Sequence, residues 1–505
     1  MKFKKIKKEW WLLGLVWLIG LFVRVYRQGD LLGFYYDQGR DALKVMDILS
    51  FRDLPAIGPT TGLSGIYLGP FWFYFLAPLY ALGHGNPAVA AALVGAVDSF
   101  SIILIYLLGK KHFNKRVGLG AATLWAFSYG LVRSARWFSN PSPLPFFFLL
   151  LVYGLSKWWF GKKDKWIWVV FLCLALALQL EAASAIFYFP AILILVWLKK
   201  LRVKPLLRSK NFKIGVGVFL ASFLPQLAFE FKNGFLTFKN LLGFLTGKVN
   251  ADGGKSWALP TLELIKLRIT DYYYVTFFSK IEFDLEWVGI IALFFLLWWL
   301  ADLFLSLKKK EFSFKVVLGI FLFTPLVSLF FFVGNYGNLY DYYLTGFFPA
   351  FILLFACFLD FFARKLIWIV LPVFWLVFLK DNGVLLKNYL VAGVDGPTHI
   401  SLGNQKQIIE WVCEQKGEAP FNVDVYVPPV IPYAWDYLWE WHGCCNLGCC
   451  PSQERTSALY TIYEIDPPHP ERLGAWFKRQ DGIGEINQEV KFGGIGARER
   501  GRVNE

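Results

Sequence analysis

Histidine and charge are both scarce in this chain. There are five histidines in 505 residues, and none sits in a metal-binding spacing, so a histidine-based metal enzyme is not indicated. Charged residues make up only 18%, against about 25% in ordinary soluble domains. A small-residue cleavage site is also missing. The basic stretch Met1 to Lys8 and the apolar run Trp10 to Val23 lead into Arg24-Val25-Tyr26-Arg27, which predicts a retained anchor rather than a cleaved signal. No internal repeat is evident, and that weighs against transporters built from repeats.

What the chain has in excess is apolar and aromatic surface. Hydrophobic residues reach 56% and aromatics 19%, with 51 Phe and 22 Trp. A soluble protein of this composition would expose large apolar patches and aggregate, whereas a bilayer covers them. The net charge is +15, but Lys and Arg gather in short connections between apolar runs, as topology signals do. The bilayer is the expected partner, and nucleic acid is not.

A spanning helix needs about 20 mostly apolar residues. Eleven candidate spans lie near 10–26, 88–109, 117–132, 143–160, 166–180, 185–199, 214–229, 287–307, 316–334, 343–359 and 366–379. A further run, 66–83, is uncharged but holds Gly69, Pro70 and Pro78. Five lysines among the first eight residues place the N-terminus in the cytoplasm. Five later basic connections, among them Lys110-Lys111, Lys308-Lys309-Lys310 and Arg364-Lys365, join it there only if 66–83 does not cross. That run is therefore predicted to be re-entrant or interfacial.

The expected product is an all-α polytopic protein of the cell membrane with about eleven transmembrane helices. Residues 1–380 form the transmembrane module, with a first external loop at about 28–87. Residues 381–505 form a small extracytoplasmic α/β domain. In that tail, Val423 to Val427 and Ala458 to Tyr463 read as strands, and Ile408 to Cys413 and Trp435 to Trp441 as short helices. The last dozen residues, rich in Gly, Arg and Glu, are expected to fray. Cys444-Cys445 and Cys449-Cys450 fit disulfides between the pairs or to Cys413, or free thiols, better than a zinc site. Cys173 and Cys357 read as packing residues.

The first external loop is where chemistry is expected. It reads Phe34-Tyr35-Tyr36-Asp37-Gln38-Gly39-Arg40-Asp41-Ala42. On a helix, Asp37 and Asp41 share one face with Arg40 and Lys44 nearby. A carboxylate held beside a cation is the minimal kit for a general base next to an anionic leaving group. The same spacing also suits a solvated helix with ordinary charge pairs. Asp98 and Asp302 read as packing or boundary residues, while Glu181 and Glu230 fall near the external face, where they could line a cavity with Asp37.

The Asp37-Gln38-Gly39-Arg40-Asp41-Ala42 motif after the first span, the Gly58-Pro59 turn and then Gly65-Ile66-Tyr67-Leu68-Gly69-Pro70-Phe71-Trp72-Phe73-Tyr74 resemble the GT-C superfamily. They are similar in particular to its protein O-mannosyltransferase and lipid A aminoarabinose transferase branch. The likeness is best over residues 10–200. Asn338 to Tyr343 resembles a late Tyr-containing turn of the same enzymes. The resemblance implies a glycosyltransferase that moves a hexose or pentose from a polyprenyl-phosphate carrier to an external acceptor, with inversion. It implies Asp37 as base, with Asp41 as a second carboxylate. Arg40, Arg133, Arg136 and Lys232 would face the donor phosphate, and Tyr36, Gln38, Tyr67, Glu181, Glu230, Tyr342 and Tyr343 would line the cavity. Two departures stand out: Gln38 replaces a frequent Glu, and Leu68 replaces a frequent His. No cofactor is indicated, and a role for a divalent ion is left open. The alternative is a transporter or flippase for a lipid-linked glycan.

Overall fold

The computed structural model describes residues 7–63, 65–246, 258–281, 288–333, 338–363, 370–391, 399–428 and 431–502. The chain is an all-α membrane bundle followed by a tail built on a four-stranded sheet. Among the described residues, four helical stretches are long and apolar enough to cross a membrane alone: Lys8–Leu31, Pro87–His112, Gly289–Lys308 and Asp341–Phe362. The pair Lys210–Ser222 and Leu224–Lys232 would make a fifth span, bent by 46° at its break. Shorter apolar helices, among them Phe71–Leu82, Leu144–Trp159, Ala182–Leu198 and Phe314–Leu329, belong to the same bundle.

Local sequence explains the helix ends. Pro87–His112 starts where the Asn86 side chain accepts from the Ala88 N–H, with Pro87 at the first helical position. It ends in Lys110, Lys111 and His112, which suit the negative end of the helix dipole. At 26 residues it extends ~39 Å at 1.5 Å per residue, enough to cross ~30 Å of hydrocarbon. Phe71–Leu82 has 12 residues and extends only ~18 Å. That length alone is shorter than ~30 Å of hydrocarbon.

The expected span at 117–132 is in fact two helices, Lys115–Phe127 and Tyr129–Arg136. Ser128 breaks them with an extended backbone; its hydroxyl caps the Leu131 N–H and donates to the Lys280 carbonyl. Hydropathy does not register such a break, because Ser128 is one polar residue in an apolar run. The Arg364-Lys365 connection lies outside the described residues. The helix Val370–Val391 runs through residue 380, where the boundary between module and tail was expected.

Neighbouring helices approach closely at small residues. A Cβ on Gly109 would sit 2.7 Å from the Gly118 Cα, so glycine is required where Pro87–His112 turns back onto Lys115–Phe127. Deeper still, Arg24 is 0% exposed and its Nε lies 2.7 Å from Asp98 Oδ2. Its other nitrogens donate to the carbonyls of Gly20 and Trp125 at 3.0 and 2.9 Å. Asp98 is thus the partner of a buried cation, consistent with a packing role.

In the tail, strands β1 (Phe421–Tyr426), β2 (Ala458–Glu464), β3 (Gly484–Phe492) and β4 (Ile495–Arg502) stand in the order β1-β2-β4-β3. β1 pairs parallel with β2, while β4 pairs antiparallel with both β2 and β3. The expectation that the last dozen residues fray is overturned through Arg502. β4 is an interior strand with ladders on both sides, and Arg500, 1% exposed, donates to the carbonyls of Gln480 and Gly484 at 3.2 and 3.0 Å. Cys413 pairs with Cys449 and Cys444 with Cys450, leaving Cys445 free and exposed. The apolar core is continuous from the bundle into the tail, with Phe34 and Tyr80 in the same cluster as Trp435, Tyr437 and Ile462.

Candidate active site

The acidic motif forms the start of the helix Tyr36–Leu49. Gln38 fixes that start. Its Oε1 accepts from the Tyr35 N–H at 3.1 Å, and its Nε2 donates to the Phe138 carbonyl at 2.9 Å. The Gln that departs from the resembled motif therefore caps the helix and ties it to the 137–142 connection, a job for a neutral amide with a donor as well as an acceptor.

Asp37, Arg40 and Asp41 come together as expected. Arg40 Nη1 lies 2.8 Å from Asp37 Oδ1, and Nη2 lies 2.7 Å from Asp41 Oδ1. The two carboxylates differ in surroundings. The Asp37 side chain is 61% exposed and Asp41 is 4% exposed. Asp41 Oδ2 also accepts from the Trp72 indole N–H at 2.7 Å. Burial pushes the Asp41 carboxyl up to about 6, against the pull of Arg40 and Trp72 toward the charged form. Tyr36 lies under Arg40, with the guanidinium carbon 5.9 Å from the ring centre. Lys44 turns instead to Asp47 and Asp53, at 3.8 and 3.2 Å.

A second group meets at Glu181. This residue caps the short turn Ala182–Ala185 by accepting from the Ala183 N–H at 3.1 Å. Burial raises its carboxyl to about 7, and its charge reaches Tyr342, whose ring is 4.6 Å from that of Tyr343. The 137–142 connection lies between the two groups, since Phe138 accepts from Gln38 and Asn140 donates to the Leu180 carbonyl.

Other expected residues are engaged elsewhere. Arg136 Nη1 donates to the carbonyls of Val23, Arg24 and Tyr26, closing the C-terminal end of the first helix. Arg24, at the end of the same helix, is buried against Asp98. Arg133 remains exposed, and its charge bears on Tyr35. Glu230 holds the start of Leu236–Leu245 by accepting from the Thr237 and Phe238 N–H groups, both at 3.1 Å. Lys232 is exposed in the last turn of Leu224–Lys232. Tyr67 packs edge-on against Phe229 at 5.8 Å, so it belongs with this third group rather than with Asp37.

The motif reading missed Trp72 as a partner of Asp41. The only signal was an indole within the aromatic run after Gly69-Pro70, and its spacing gives no hint of the contact. It also missed Lys280, a buried lysine whose Nζ lies 3.2 Å from Ser134 Oγ and 3.7 Å from Asp341 Oδ2. Gly39 has a requirement of its own. A Cβ there would overlap the backbone of Tyr433 and Ala434, although glycine inside a helix costs about 1 kcal/mol relative to Ala.

The sequence family described as dolichyl-phosphate-mannose-protein mannosyltransferase matches residues 68–229. The fold matches ArnT from Cupriavidus metallidurans in the apo state, with TM-score 0.61 and 11% identity over 97% of each chain. It also matches the same protein bound to undecaprenyl phosphate, with TM-score 0.58 and 12% identity over 97% of each chain. An oligosaccharyltransferase from Archaeoglobus fulgidus, in complex with Zn and sulfate, matches with TM-score 0.53 and 13% identity. That match covers 94% of this chain and 71% of the other. No curated protein sequence matches. The chain has the GT-C fold, as the resemblance implied.

Proposed function

We propose that this chain is a membrane glycosyltransferase that takes a sugar from a polyprenyl-phosphate carrier and transfers it, with inversion, to an acceptor outside the cytoplasm. The observation that carries this reading is the pairing of the exposed Asp37 with Arg40, itself anchored by the buried Asp41. Support comes from the ArnT structure of the same fold that holds undecaprenyl phosphate. The two disulfides of the tail favour an oxidising, extracytoplasmic side for that region.

The reaction is a single displacement. Asp37 accepts the proton of an acceptor hydroxyl or amine, and the freed electron pair attacks the sugar C1 opposite the phosphate. The C1–O bond breaks and its electron pair leaves with the lipid phosphate. The donor phosphodiester carries one negative charge and the departing monoester two, so the Arg40 guanidinium is worth more at the transition state than in the ground state. Asp41, held by Trp72, keeps Arg40 in place.

Sugar transfer from radiolabelled polyprenyl-phosphate sugars, measured in membranes holding wild type or Asp37→Asn, tests this. Transfer should fall at least ~100-fold in the variant with membrane insertion unchanged, the usual scale for loss of a general base. A fully active, folded Asp37→Asn protein overturns the assignment.

A further inference from the structure

The acidic helix Tyr36–Leu49 rests on a second, much shorter helix that comes from the other end of the chain, Tyr433–Leu438. The contact centres on Gly39. Any side chain there would run into the backbone of Tyr433 and Ala434, so the two helices meet backbone to backbone, midway between Asp37 and Asp41. Beside this seat, the rings of Tyr36 and Tyr433 lie 5.0 Å apart. Tyr36 in turn lies beneath Arg40, which holds both carboxylates. A chain of contacts therefore runs from Tyr433 through Tyr36 to the guanidinium.

The short helix is itself anchored on two sides. Trp435, fully buried, donates to Glu464 Oε1 on β2 at 2.9 Å. The Tyr437 hydroxyl donates to the Gly85 carbonyl, and in the turn that follows the helix the Trp441 indole donates to that of His84 at 3.1 Å. The tail also grips the chain just before the acidic helix. Leu402 N donates to the Leu32 carbonyl at 2.8 Å, Gln405 Nε2 to Phe34 at 2.9 Å, and the Tyr35 hydroxyl to Ile400 at 2.9 Å. Nothing in the acidic helix alone needs this many ties. Rigidly supported elements keep catalytic groups within the fraction of an ångström that chemistry requires.

We propose that Tyr433 and Gly39 are positioning residues, and that the Tyr433–Leu438 helix of the tail sets the placement of Asp37, Arg40 and Asp41. The inference rests on the glycosyltransferase reading for its kinetic consequence but not for its structural one. The test uses the full chain with Gly39→Ala, Tyr433→Ala and Tyr433→Phe, read two ways. The first readout is hydrogen exchange of the amides in residues 36–49. The second is kcat and KM for a polyprenyl-phosphate sugar. Gly39→Ala and Tyr433→Ala should speed exchange in that helix at least ~10-fold and lower kcat ~10- to 100-fold, the cost of misplacing reacting groups by about an ångström. KM should change less than ~3-fold, and Tyr433→Phe, which keeps the ring, should restore both readouts.

Unchanged exchange and unchanged kcat in an active Tyr433→Ala protein overturn the positioning role and leave the glycosyltransferase reading intact. Faster exchange in a preparation whose wild type transfers no sugar supports the positioning and overturns the activity instead. Loss of the whole fold in Gly39→Ala leaves Tyr433→Ala against Tyr433→Phe to decide, because that pair alters only the ring contact.

Discussion

Asp41 pays a burial cost that its neighbours only partly offset, and that imbalance is measurable. Its carboxyl is raised to about 6 by burial, with Arg40 and Trp72 pulling it back toward the charged form. As pH falls through about 6, Asp41 takes up a proton and its ion pair with Arg40 is lost. Arg40 then answers only to Asp37, and activity should decline on the acid side. Trp72→Phe removes a donor to the carboxylate, so the Asp41 carboxyl rises further and the acid limb of a kcat/KM profile should move to higher pH by roughly 1 unit, the order of one lost charge-assisted hydrogen bond. A limb that stays in place would show that Asp41 does not control the profile. Much of this site was legible: the i, i+4 spacing placed Asp37 and Asp41 beside Arg40. What spacing could not say was which carboxylate is buried, because that depends on Trp72, 31 residues further along the chain.

Between helices, Arg24 and Asp98 form a buried ion pair at 2.7 Å. Both ends are buried, and the guanidinium also closes backbone carbonyls on two helices. Removing one partner leaves a bare charge in an apolar core. Arg24→Leu or Asp98→Leu alone should therefore cost about 3–5 kcal/mol, and the double variant Arg24→Leu/Asp98→Leu distinctly less than either single change. Thermal unfolding in detergent, run as a double-mutant cycle, measures this; single variants as stable as wild type would refute it. Apolar length located most of these helices, because hydropathy is local in sequence. It did not locate the break at Ser128 or the bend between Lys210–Ser222 and Leu224–Lys232. Both follow from partners far along the chain: Lys280 fixes Ser128, and Gln179 donates to the Ser222 carbonyl. Strand β4 was missed for the same reason. Its sequence, rich in Gly and Arg, becomes a strand only between β2 and β3.

At the scale of the whole molecule, the tail and the bundle meet through a segment closed by two disulfides. Cys413–Cys449 bridges a sequence separation of 36 and Cys444–Cys450 one of 6. In the chain-entropy picture the longer closure stabilises by about 4 kcal/mol and the shorter by about 2 kcal/mol. The free Cys445 stands next to Cys444 and could replace it in a bond to Cys450 by thiol–disulfide exchange. The comparison therefore belongs in a Cys445→Ser background. There, Cys413→Ser should lower the unfolding temperature of the tail more than Cys444→Ser. It should also loosen the Leu402–Gln415 helix, whose Gln405 side chain holds the Phe34 carbonyl ahead of the acidic motif. Differential scanning calorimetry of the full chain orders the two variants. Equal losses, or a larger loss from Cys444→Ser, would mean that native contacts around the cysteines, rather than loop closure, set the stability of this junction.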